Sequence, residues 1–140
     1  MESQSGNGGS SERGGDGVIA DFDKDGYGDI AVGASLYSRH KGRVSVWYGS
    51  STGPSRNTRF TQSTSGVAGS PENYDEFGSS ISSGDIGGDG YADLAVGVRG
   101  EEIIGQDNAG GVHVLKGRPS GLSGAGSQWF ARNTPACPVR

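Results

Sequence analysis

Apolar residues in this chain come in short runs, and none of the runs keeps a helical period. Within residues 17–63 the runs are GVIADF, DIAVGAS, GRVSVWYG and TRFTQS, each at most eight residues long and set off by turn residues. Within residues 79–133 the series returns as SSISSGDI, DLAVGVR, GGVHVLKG and SQWFARN. Short strands between turn signals predict an all-β fold. Side chains alternate across a strand. His113, between Val112 and Val114, is therefore expected to pack between sheets.

The two series are one unit written twice. Residues 21–34 read DFDKDGYGDIAVGA, and DIGGDGYADLAVGV follows 64 positions later, from Asp85. Further along, GRVSVWYGSSTG matches GVHVLKGRPSG, with Val44 and Val46 opposite Val112 and Val114 at an offset of 68. The four extra residues belong in a loop, RGEEIIGQDNAGG. Repetition with four strands per unit predicts two blades of a β-propeller or a related array. The predicted boundaries are a flexible Gly/Ser-rich segment at 1–16, a first blade at 17–66, a connection at 67–76, a second blade at 77–134 and a tail at 135–140.

Composition narrows the classes. The chain has 140 residues, about the length of one domain, and 28 of them are glycine. Glycine recurs at matching places in the repeats, so it marks turns in a folded array. Net charge is −4, and the carboxylates behind that sign cluster in the two repeated loops. No basic patch suggests nucleic acid. No apolar run approaches the ~20 residues that span a bilayer. Met1 opens no recognisable signal peptide. Cys137 is the single cysteine, which forbids an internal disulfide, and it reads as a free thiol in the tail.

The repeated loop carries the chemistry. Asp21, Asp23, Asp25 and Asp29 stand at positions 1, 3, 5 and 9, and Gly26 permits the bend that crowds them. Crowded carboxylates need a compensating cation. Ca²⁺ accepts 6–8 oxygens in a flexible shell, whereas Mg²⁺ demands strict octahedral geometry. The expected oxygens are those four carboxylates and the Tyr27 main-chain carbonyl. An EF-hand is excluded, because it requires a bidentate Glu at position 12 and flanking helices. Here position 12 is Val32 or Val96, and the flanks are β-formers. Each loop is thus predicted in the turn of a β-hairpin. The bland alternative is that the aspartates only make Asx-turns. The second loop is poorer, since position 3 is Gly87, leaving Asp85, Asp89, Asp93 and the Tyr91 carbonyl.

These residues resemble FG-GAP repeats, the blades of integrin α-subunit propellers and of secreted bacterial proteins. The second unit carries the pattern in FGSSISSGDIGGDGYADLAVGV, from Phe77-Gly78. The first has the acidic loop, but Arg13-Gly14 stands where Phe-Gly is expected. The resemblance, over residues 13–134, implies four-stranded blades with Ca²⁺ on Asp21, Asp23, Asp25, Tyr27 and Asp29, and on Asp85, Asp89, Tyr91 and Asp93. Propellers typically close with 4–8 blades. Two blades therefore imply either blades outside this chain or a homo-oligomer. Two, three or four chains would give four, six or eight blades, against the family's usual ring of about seven, and the expectation is a trimer with a tetramer as the alternative. Bare faces lined by Val44, Val46, Val112 and Val114 would drive that association.

The implied function is an extracellular, calcium-stabilised propeller module that binds a protein or cell-surface partner without catalysis. One alternative is a lectin-like propeller, with Trp47, Tyr48, Trp129 or Phe130 stacking on sugar rings. Another is the accessory propeller of a secreted hydrolase. For the chain itself to be an enzyme, His40 or His113 would have to serve a nucleophile. His40 reads as a solvated turn residue, and no nucleophile-elbow, phosphate-loop or metal-histidine motif is present. The loop RGEEIIGQDNAGG is the first guess for ligand contact.

Overall fold

A computed structural model describes residues 15–67, 74–99 and 110–131. The first sheet is an antiparallel meander of β1 (Gly15–Ala20), β2 (Asp29–Ala34), β3 (Arg43–Tyr48) and β4 (Arg56–Phe60). The second repeats it with β5 (Phe77–Gly84), β6 (Asp93–Val98), β7 (Gly111–Lys116) and β8 (Ser123–Ala131). The all-β, two-blade expectation thus holds, with shifted edges. Strand β1 takes in Gly15 and Asp16, two residues of the segment expected to be flexible. Strand β8 starts at Ser123, before the run SQWFARN, because a register shift between Val114 and Lys116 lets pairing resume at Lys116–Ser123. Most of RGEEIIGQDNAGG, the first guess for ligand contact, lies outside the described residues, as do Cys137 and residues 1–14.

Cross-strand partners share a face, so the register assigns the faces of each blade. In the first, Val18, Ala31 and Val46 form one row, and Gly33, Val44 and Phe60 the next. This face lies against the second blade, with Ala31, Val44 and Val46 fully buried. The second blade answers with Ile81–Val96–His113–Trp129 and with Leu94–Leu115. Val44 and Val46 therefore do not line a bare face, as the sequence suggested; the partner blade covers them. The faces left bare carry Ile30, Val32 and Trp47 on the first blade, and Val112 and Phe130 on the second.

Backbone contacts join the blades. Phe77 is fully buried, and Gly78, in the left-handed region at φ 93°, lets the chain lie against Gly33. A Cβ added to Gly33 would collide with the Gly78 carbonyl oxygen. Gly33→Ala is therefore expected to cost ~1–3 kcal/mol, as overpacking does. It should appear as a lower urea midpoint at unchanged slope.

The segment SRHKG is the exposed turn expected, and it also docks the second blade. Tyr37–His40 form a tight left-handed turn, with Ser38, Arg39 and His40 at positive φ. Its carbonyls receive the N–H groups of the incoming second blade: Arg39 from Tyr74 (3.1 Å), His40 from Glu76 (2.7 Å) and Lys41 from Phe77 (3.0 Å). The His40 ring stacks near Tyr74 and its Nδ1 lies 3.1 Å from Glu76 Oε2. Burial raises the Glu76 pKa, but hydrogen bonds with Arg99 and His40 outweigh that and hold it below the ordinary value.

Candidate metal centre

Each acidic loop closes a hairpin: β1 and β2 meet at Ala20–Asp29, and β5 and β6 at Gly84–Asp93. Gly26 and Gly90 turn the loops with φ near 90°. The first aspartate folds each loop around itself. Asp21 accepts the N–H groups of Asp25 (3.1 Å) and Gly26 (2.8 Å). Asp85 does the same for Asp89 (3.1 Å) and Gly90 (2.8 Å). Asp25 and Asp89 each accept the N–H of the following tyrosine, Tyr27 or Tyr91. The last aspartate ties the loop to the end of the third strand. Asp29 Oδ1 accepts from Gly49 and Asp93 Oδ1 from Gly117, both at 2.9 Å. Both residues are fully buried.

The Asx-turn reading is thus part of the structure, but it does not use every oxygen. In the first loop, Asp21, Asp23, Asp25 and Asp29 can each bring one carboxylate oxygen within 4.8 Å of the others. Asp23 is nine-tenths buried; its Oδ2 meets Arg56 at 3.3 Å, while its Oδ1 is buried with no hydrogen-bond partner. A buried oxygen of this kind is costly. Burial, the negative charge of Asp29 and the neighbouring Asp21 and Asp25 carboxyls push the Asp23 pKa up to about 6. Burial likewise raises Asp29, against the opposing N–H groups of Gly49 and Phe22. Burial acts to raise Asp21 as well, but the N–H groups of Gly26 and Asp25 outweigh it and leave that carboxyl lowered. Four converging carboxylates, one with an orphaned buried oxygen, fit a hard divalent cation of the Ca²⁺ type.

The second loop brings Asp85, Asp89 and Asp93 together over the same 4.8 Å span. Asp93 Oδ2 accepts two N–H groups, from Ile86 (2.9 Å) and Gly87 (3.1 Å). Its counterpart Asp29 Oδ2 accepts one, from Phe22 at 2.8 Å. The Asp85 pKa is lowered, chiefly by the Gly90 N–H. Among the described residues, no oxygen of this loop is buried without a partner.

Other candidates disperse. Trp47 and Phe130 stand on opposite outer faces, Tyr48 is buried with its hydroxyl accepting the Leu122 N–H (2.9 Å), and Trp129 packs on His113. They form no common platform for a sugar. Arg56, Lys116, Gly49 and Gly117 are functional neighbours that sequence reasoning passed over. The recurrence of WYG and LKG at the third-strand ends was a usable signal for the two glycines. Arg56 and Lys116 reach the loops only through sheet register.

A family model described as FG-GAP repeat matches residues 13–47 and 77–115. Integrin alpha-8 of Mus musculus is 31% identical over 133 residues, covering 85% of this chain and 12% of that protein. Integrin alpha-4 of Xenopus laevis is 33% identical over 112 residues, 78% of this chain and 10% of that protein. Phosphatidylinositol-glycan-specific phospholipase D of Bos taurus is 39% identical over 83 residues, 56% of this chain and 10% of that protein. The chain thus spans about a tenth of the length of these relatives.

Proposed function

The chain belongs to the FG-GAP repeat family, and on that premise we propose that it is an extracellular, calcium-stabilised pair of propeller blades that presents a binding surface and catalyses nothing itself. The observation that carries the reading is the orphaned Asp23 Oδ1 amid four converging carboxylates. Ca²⁺ there would be held by Asp21, Asp23, Asp25, Asp29 and the Tyr27 carbonyl. It would be structural, tying the β1–β2 turn to the β3 end through Asp29. Extracellular calcium suffices for modules of only ~10⁻⁴–10⁻³ M affinity. The integrin α relatives favour the same setting. The phospholipase D match supports a second reading, the accessory propeller of a secreted hydrolase.

The faces supply the partner. On the outer side of the second blade, Ala95, Gly97, Val112, Val114 and Phe130 repeat Ala31, Gly33, Val44, Val46 and Phe60, the side of the first that the second covers. Val112 and Phe130 are exposed there, whereas Val114, expected on a bare face, is buried. Conversely, Ile30, Val32 and Trp47 occupy the positions of Leu94, Val96 and Leu115. One interface, repeated head to tail, covers both ends. Such an arrangement closes when the rotation fits. In a longer protein further blades would serve; for this chain alone, copies do, and three or four chains, with six or eight blades, come near the usual ring of about seven. Light scattering coupled to gel filtration tests this. A discrete multiple of 14.3 kDa that loosens in chelator is expected, and a folded monomer in calcium buffer would overturn it.

A further inference from the structure

We propose that the second acidic loop takes no calcium and that Lys116 serves as its built-in counter-ion. This rests on the calcium reading of the first loop only for contrast. The missing third carboxylate leaves a space beside Gly87, and the Lys116 ammonium lies there, 3.2 Å from where a Cβ on Gly87 would stand. In the first blade the matching position is Tyr48, whose hydroxyl turns away to Leu122. A second ammonium reaches the loop from the other blade. Lys24 Nζ sits 5.5 Å from the centre of the Tyr91 ring and 2.9 Å from where a Cβ on Gly90 would stand. Among the described residues neither ammonium forms an ion pair with an aspartate of the loop, so both act on the three carboxylates at longer range. The first loop sets four carboxylates against the Arg56 guanidinium, 3.3 Å from Asp23, and its own Lys24, whose ammonium turns to Tyr91.

The hydrogen bonding points the same way. Gly87 turns its N–H onto Asp93 Oδ2 beside that of Ile86, and Gly117 occupies Oδ1, so three backbone donors already hold this carboxylate. No oxygen comparable to Asp23 Oδ1 awaits a cation among the described residues of the loop. Affinity for Ca²⁺ follows the number of charged ligands. Here that number is reduced and the place of the missing ligand is taken by an opposite charge. One repeat is thus closed by a metal and the other by a lysine. The second hairpin would keep its shape when calcium is withdrawn.

Calcium titration calorimetry on the intact chain tests this with three variants. The wild type should bind one Ca²⁺, and Asp89→Ala should leave both count and affinity unchanged. Gly87→Asp together with Lys116→Met should bind two. The backbone at Gly87 is outside the left-handed region and admits a side chain there. Gly87→Asp alone, with Lys116 free to pair with the new carboxylate, should fill the second site at least ~tenfold more weakly than the double variant. Two calcium ions on the wild type, loss of one with Asp89→Ala, or equal affinity with and without Lys116 would each overturn the proposal. If the wild type binds none while the double variant gains one, the lysine assignment stands and the first-loop reading falls.

Discussion

Chelation should lower the melting temperature of this protein by on the order of 10 °C. A ligand bound only by the folded state adds RT ln(1 + [L]/Kd), ~2.7 kcal/mol at a hundredfold excess over Kd. For a chain of this size each kcal/mol corresponds to roughly 4 °C. The gain should depend on the first loop. Asp25→Ala and Asp89→Ala break the same local hydrogen bond, from the N–H of Tyr27 or Tyr91. Their intrinsic costs are thus matched, and the difference between them reports the metal. Asp25→Ala should melt at the same temperature with and without calcium, while Asp89→Ala should keep the wild-type gap. Equal melting of the wild type in calcium and in EDTA would refute the metal reading.

A second large effect is expected from acid. His113 is 1% exposed, stacked between Phe77 (5.6 Å) and Trp129 (4.5 Å), and neither ring nitrogen has a hydrogen-bond partner among the described residues. Burial pushes its pKa down to about 4. The unfolded chain, with an ordinary histidine near 6.5, binds the proton more readily than the folded one. Stability is therefore intact above pH ~6.5 and falls as pH drops toward 4, by about 3 kcal/mol from this group alone. Carboxylates titrate over the same range, so the His113→Leu variant is the reference. At pH 7 it should be at least as stable as the wild type, since it loses no hydrogen bond. By pH 4 the wild type should have fallen behind it by the stated amount. Parallel pH curves for the two proteins would show that the ring is solvated or partnered in solution.

Much of this fold was legible because the sequence states it twice. The eight strands, the hairpin position of both loops and the deficit at Gly87 all follow from local pattern. What escaped depends on register and on which side faces the neighbour. Val44 and Val46 read as bare because alternation assigns residues to faces without saying which face is covered. His40 does lie in an exposed turn, but nothing in SRHKG announces the left-handed backbone whose carbonyls dock the segment 74–77. Arg56 and Lys116 lie 33 and 29 positions from Asp23 and Gly87, and only the folded sheet brings them back to the loops. The aspartates themselves were identified, but their division of labour was not. Asp21 and Asp85 shape the loop, Asp29 and Asp93 anchor it, and Asp23 alone is left with an unused buried oxygen.

That oxygen offers the most direct test of the central claim. Crystals of the chain grown in calcium, measured for anomalous scattering, should show a peak enclosed by Asp21, Asp23, Asp25 and Asp29, with Asp23 Oδ1 at a Ca²⁺–oxygen distance of ~2.3–2.6 Å. An ordered loop with no peak, and with Asp23 Oδ1 hydrogen-bonded to water instead, would contradict the account.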